Sequence, residues 1–298
     1  MPPGTKEAQT REVEPSVEAL HEDVLRLFRA GRLRIPSLPD VALRVRAAVN
    51  DPQRGVADVA RIVQVDAALA ARLVHIANSP LYRGACTIDN CHMAVSRLGL
   101  EATRNFVVAF TLRNLFRPRH RTLLPVLQEV WRLGCRTAAI SAVLARVTPG
   151  VDADRVVLAA LVQGIGALPV VDYLDRRAWP DPEAAERLIE RLQGRLGRDI
   201  LSGWGFDAEL AALPEAIARL ETVPPDTVPG EAPRCADVVQ VAWVHARFGT
   251  ARGYDGPPLP ELASYRRLPI SRLGPDASLE VLEQSREEIR ELLQILAG

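Results

Sequence analysis

Apolar residues return along most of this chain at spacings of three and four, in short stretches that end at a proline, a glycine, or an Asn-Asp or Asn-Ser step. That period belongs to amphipathic helices, and the breakers keep each helix short. Ser16 is placed to cap the first, with Val17, Leu20, Val24, Leu27 and Phe28 on one face and Gly31 closing it. Val41, Val45 and Val49 mark a second stripe ending at Asn50-Asp51-Pro52. A short helix follows over 55–63. Asp66 caps a further helix carrying Leu69, Leu73, Val74 and Ile76, which stops at Asn78-Ser79-Pro80. The pattern repeats over 87–98 and 101–116, either side of Gly99. Longer helices are predicted at 122–147 and 153–174, then at 181–195, 206–221, 232–248 and 277–296.

Composition supports an all-α, two-lobed helical protein. Of 298 residues 48% are hydrophobic but only 5% aromatic, which favours an aliphatic helical interior over a β-sandwich. Lys and Arg (37) balance Asp and Glu (37), which excludes an overall polyelectrolyte grip on nucleic acid or anionic lipid. Four cysteines form no C-x-x-C pair and no apolar leader is read at the N-terminus, so a reduced cytoplasmic setting without disulfides is expected. The apolar run 156–171 contains Gln163, two glycines and a proline and falls short of the roughly 20 residues that span a bilayer. It is expected to be a core element, with no membrane contact.

The chain divides into a polar, Pro-containing lead-in over 1–15, expected to be disordered, an N-terminal helical bundle over 16–117 and a second helical lobe over 118–298. The second lobe contains a Gly- and Pro-rich loop, 249–276, that also carries Tyr254, Leu259, Leu262 and Tyr265. Such a loop either packs against the lobes or is a mobile insertion. Its apolar content supports packing, over the region of Gln163 and Asp237.

Few constellations carry chemistry. His75, His92, Cys86 and Cys91 lie close in sequence but match no common zinc spacing, and Gly164-Ile165-Gly166 lacks the third glycine of a phosphate loop. Neither G-x-S-x-G nor H-E-x-x-H occurs. Arg113, Arg117, Arg119 and Arg121 belong to the densest basic stretch. They form either a solvated face or an anion or partner surface at the hinge between the lobes.

Leu38-Pro39-x-Val41-Ala42-Leu43, Asp51-Pro52, Asp66-x-x-Leu69, Ala77-Asn78-Ser79-Pro80-x-Tyr82 and Ala94-x-x-x-Leu98-Gly99-Leu100 occur in that order. In order and spacing this set resembles the HDOD family, bacterial signalling domains related to HD phosphohydrolases. The resemblance is strongest over 35–115 and weaker over 122–250. HD phosphohydrolases hold divalent metal with a His, a His-Asp doublet and a later Asp. On the resemblance, the first His falls at Leu133, after Trp131-Arg132, and the doublet at Gln163-Gly164. Asp237 is the remaining candidate for the late carboxylate. A His-His pair common in HDOD relatives is absent from 215–221.

The resemblance therefore implies a remnant pocket around Arg132, Gln163 and Asp237, with no metal, cofactor or catalytic residue assigned. The expected function is non-catalytic signal transduction through a protein partner or small effector. Two alternatives stay open: a metal-dependent phosphohydrolase acting on a nucleotide, and nucleic-acid binding through the hinge arginines, which the zero net charge disfavours.

Overall fold

A computed structural model describes residues 16–297 apart from 117, 178, 180, 225–230, 249, 251–252 and 275. The lead-in over 1–15 and Arg117 thus lie outside the described residues. Within them the protein is all-α, with one isolated bridge between Thr222 and Leu262 and no strand. The first helices are α1 (Val17–Arg29), α2 (Asp40–Val49), α3 (Val56–Gln64), α4 (Ala67–Ala77) and α5 (Cys91–Leu112). They are followed by α6 (Leu124–Arg146), α7 (Ala153–Val162), α8 (Ala167–Arg176), α9 (Pro182–Gly203), α10 (Ala208–Ala218) and α11 (Cys235–Phe248). Short α12 (Ala263–Arg267), α13 (Ala277–Gln284) and α14 (Arg286–Ala297) complete the chain.

Local chemistry accounts for most boundaries. Ser16 Oγ accepts from the Ala19 amide, and Asp66 Oδ1 accepts from the Ala68 and Leu69 amides at 3.0 Å, satisfying donors that the first helical turn leaves open. Asn78 exchanges two hydrogen bonds with the Ile88 backbone, at 2.7 and 2.9 Å, and so ties down the loop before α5. From that loop the Tyr82 hydroxyl donates to Asp154 on α7, and its ring meets Phe106 edge-on at 5.8 Å. Burial pushes the Asp154 carboxyl up to about 6. Gly99 bends α5 with a φ of 82°, a left-handed conformation that suits glycine.

Core residues from Leu20 to Leu296 form one connected cluster. The elements at both ends reach across the hinge: α1 packs on α9, while α14 packs on α6 and α4. Tyr173 donates to Asp23 on α1 at 2.7 Å, and the Trp204 indole donates to the Pro36 carbonyl at 3.0 Å. The hinge itself is anchored. Arg119 and His120 direct their backbone N–H groups at the Asp175 carboxylate, at 2.6 and 3.0 Å, and the His120 ring reaches it at 2.7 Å. Burial opposes ionisation of Asp175, but these donors together outweigh it and hold the carboxyl below its ordinary value.

The expected helix over 153–174 is broken into α7 and α8 by the turn at 163–166. Together α7 and α8 reach the length and hydropathy of a membrane-crossing segment, longer than the apolar run suggested, yet 94% of the most apolar stretch is buried inside the protein. The break follows from packing. A Cβ on Gly166 would lie 2.1 Å from the Gln193 carbonyl oxygen and 2.7 Å from the Gly197 nitrogen, so α9 crosses in backbone contact with the turn. Gly166→Ala is expected to force the two apart at a cost of about 1–3 kcal/mol, read as a thermal midpoint lowered by several degrees.

The segment expected to pack or move is packed over its described residues. It contains α12 and 3-10 turns at Leu259–Glu261 and Pro269–Leu273, and it buries Leu262, Tyr265, Leu268 and Ile270. The Tyr265 hydroxyl closes it by donating to the Gly274 carbonyl at 2.9 Å.

Candidate functional site

Helix α6 brings Glu129, Arg132, Leu133 and Arg136 to one face, since residues three, four and seven apart share a helical stripe. With Gln163 at the end of α7, Glu186 and Glu190 on α9, and Arg247 near the end of α11, they line a cleft of about 490 Å³. Arg132 donates to Glu129 at 3.0 Å and to Gln128 at 3.3 Å, and Arg136 donates to Glu129 at 2.5 Å. Gln163 is 4% exposed. The Nε atoms of Arg136 and Arg247 are buried without hydrogen-bond partners among the described residues. Arg247 also stacks over Trp243 at 5.3 Å.

The positions where an HD centre would place its first His and its doublet therefore converge. Leu133 and Gln163 line this cleft, and a Cβ on Gly164 would lie 2.5 Å from Cγ1 of Val130, another lining residue. The side chains present do not fit a divalent metal: leucine and glycine offer no donor atom, and a neutral amide is a poor partner for one. Among the described residues, no group of three or more His, Cys, Asp or Glu is placed to hold a metal ion. Of the Cys and His set, Cys86 is exposed while Cys91 is buried, its Sγ 3.9 Å from the Ala60 carbonyl.

Asp237 does not join Arg132 and Gln163. It sits in the first turn of α11, whereas the cleft meets α11 at Arg247, ten residues on and about 15 Å along the helix axis. Asp237 is 1% exposed. Its Oδ2 accepts from the Arg234 backbone N–H at 2.9 Å, as an N3 carboxylate does in a capping box. Its Oδ1 accepts two bonds from Arg267, at 2.9 and 2.7 Å. The Gly- and Pro-rich segment thus covers Asp237 through α12, and it reaches the cleft around Gln163 through Thr250.

Of the hinge arginines, Arg117 lies outside the described residues and the other three are placed apart. Arg113 is half-buried and lines a separate cavity, whereas Arg119 and Arg121 are exposed on the loop that Asp175 anchors. Arg136, Arg247 and Arg267 were not singled out by the sequence. The stripe at 129, 132, 133 and 136 carries a signal for Arg136, three polar residues on one face of an apolar helix. Arg247 and Arg267 depend on how distant elements meet.

An all-α protein whose HD-like positions meet without a metal donor set is the class these observations define. The HDOD domain model matches residues 35–219, and the chain belongs to the HDOD family. Among solved structures, a Shewanella amazonensis protein provisionally named a metal-dependent phosphohydrolase is 27% identical, with a TM-score of 0.79 over 94% of this chain and 99% of its own. An HDOD domain protein of unknown function from Geobacter sulfurreducens is 24% identical, with a TM-score of 0.65 over the same shares. A Marinobacter aquaeolei protein provisionally named for signal transduction is 20% identical, with a TM-score of 0.58 over 96% of this chain and 68% of its own. These last two show the fold alone. No curated protein matches the chain significantly.

Proposed function

We propose that this HDOD chain is a non-catalytic regulator in signal transduction, acting by binding a protein partner or a small effector. Family membership fits a regulatory role. The observation that carries the non-catalytic part is the cleft itself, where Leu133, Gln163 and Gly164 stand at the HD positions and Val130 occupies the space a larger residue at 164 would need. Hydrolysis of a phosphoester by this family of centres depends on a metal that polarises the phosphoryl group and generates hydroxide. A cleft lined by guanidinium, carboxylate and amide groups can bind and orient a ligand but supplies no such hydroxide.

The second reading, a metal-dependent phosphohydrolase, is favoured by the name of the Shewanella protein. An assay of the purified chain on cyclic and linear nucleotides, with magnesium or manganese added, separates the two. The expected result is no turnover above a heat-denatured control. Turnover that tracks metal concentration and is lost on chelation establishes the phosphohydrolase instead. Recovery of a specific protein from a native lysate by the full chain, released by charge changes around Arg132 and Arg136, is the expected result if the effector is a protein.

A further inference from the structure

Beyond the HD-like cleft, a second cavity of about 370 Å³ opens between the end of α5, the first half of α6 and the end of α14, with Arg113, Phe116, Gln128, Trp131 and Arg132 in its wall. Its lining contains two guanidinium groups and no carboxylate side chain. Arg113 is half-buried, and its side chain makes no hydrogen bond or ion pair with any described residue. A second cation crowds it: Arg72, stacked 5.5 Å over Phe110, has its guanidinium pushed down first by burial and next by the charge of Arg113.

A half-buried guanidinium close to a like charge, with no carboxylate side chain in the cavity wall, leaves a place for an anion. Trp131 closes that wall, buried against Phe116 with ring centroids 5.5 Å apart, and its inaccessible indole N–H has no acceptor among the described residues.

We propose that this cavity is an oxyanion site, taking the phosphate or carboxylate group of a small molecule between Arg113 and Arg132. Guanidinium forks match both groups with paired, charge-assisted hydrogen bonds, and the Gln128 amide offers a neutral donor beside them. The cavity has the size of a small-metabolite site. Arg132 lines this cavity and the HD-like cleft alike, so an anion held here competes with Glu129 for its guanidinium. Leu133 and Gln163 do not line it, so this inference and the non-catalytic reading can fail separately.

The test is a titration of the full chain with inorganic phosphate and, separately, with citrate, at constant ionic strength held by chloride. Binding is read by tryptophan fluorescence and by the thermal midpoint. Saturable millimolar or tighter binding of at least one anion is expected, with affinity reduced about tenfold or more by Arg113→Gln and by Arg132→Gln, and partly kept by Arg113→Lys. Which anion binds distinguishes a phosphate-bearing ligand from a carboxylate. Arg113→Gln relieves repulsion with Arg72, so its midpoint without anion should not fall below that of the parent. Arg132 is exposed, which makes Arg132→Gln a second folded variant should the first prove unstable. Absence of saturable binding by either anion overturns the proposal, and so does unchanged affinity in the Arg113→Gln and Arg132→Gln variants.

Discussion

Asp237→Ala is expected to destabilise the protein by about 3–5 kcal/mol, because it strands a largely buried guanidinium. Arg267 is only 11% exposed and spends two hydrogen bonds on Asp237, while the Arg234 amide at the start of α11 loses its acceptor at the same time. Urea unfolding of the variant should show a lower midpoint with an unchanged slope. Replacing both partners, as in Asp237→Leu with Arg267→Met, should cost less than the sum of the single changes, since neither charge is then left unpaired. A loss under about 1 kcal/mol for Asp237→Ala would mean that water reaches Arg267 freely and that the pair does not pin α12 to α11.

The second large effect is pH-dependent and centres on His245. Its side chain is buried on α11 with Nε2 3.0 Å from the hydroxyl oxygen of fully buried Ser278, and burial pushes its pKa down to about 4 from 6.5. A folded pKa below the unfolded one means that the unfolded chain takes up the proton first. The stability contributed by neutral His245 is therefore complete above pH 6.5, declines as pH falls and is lost near pH 4, a total of about 3 kcal/mol. Asp154 works in the opposite sense: its raised pKa adds stability as pH falls from about 6. Asp175 works in the same sense as His245, but its lowered pKa places its loss below pH 3.8. Comparing the parent with His245→Gln isolates the histidine, because the amide can still meet Ser278 but does not titrate in this range. Acidification from pH 7 to 4.5 should cost the variant markedly less stability than the parent. Equal losses would show that His245 is hydrated or charged in the folded chain.

Where structure is local, it was legible from the sequence. Ser16 and Asp66 cap their helices through side-chain oxygens, and Gly99 kinks α5 at the point where the apolar pattern pauses. The turn at 163–166 was not legible, because its cause is the approach of Gly197 and Gln193 from α9, some thirty residues away. The apolar residues of the Gly- and Pro-rich segment did signal that it packs, but not the 3-10 turns at Leu259–Glu261 and Pro269–Leu273 or α12 between them. In the candidate site, the meeting of Leu133 with Gln163 followed from family resemblance, which encodes a fold that periodicity does not. The parting of Asp237 from them depends on which end of α11 faces the cleft, and its true partner, Arg267, lies on an element no local pattern predicted.

The proposed non-catalytic role requires that the HD metal centre be lost, and the metal content of the native protein tests that most directly. Elemental analysis of the full chain, purified without chelator and re-equilibrated with manganese and iron before desalting, should find well under one divalent ion per chain. Stoichiometric metal that survives desalting and that Gln163→Ala displaces, with the fold intact, would contradict that reading.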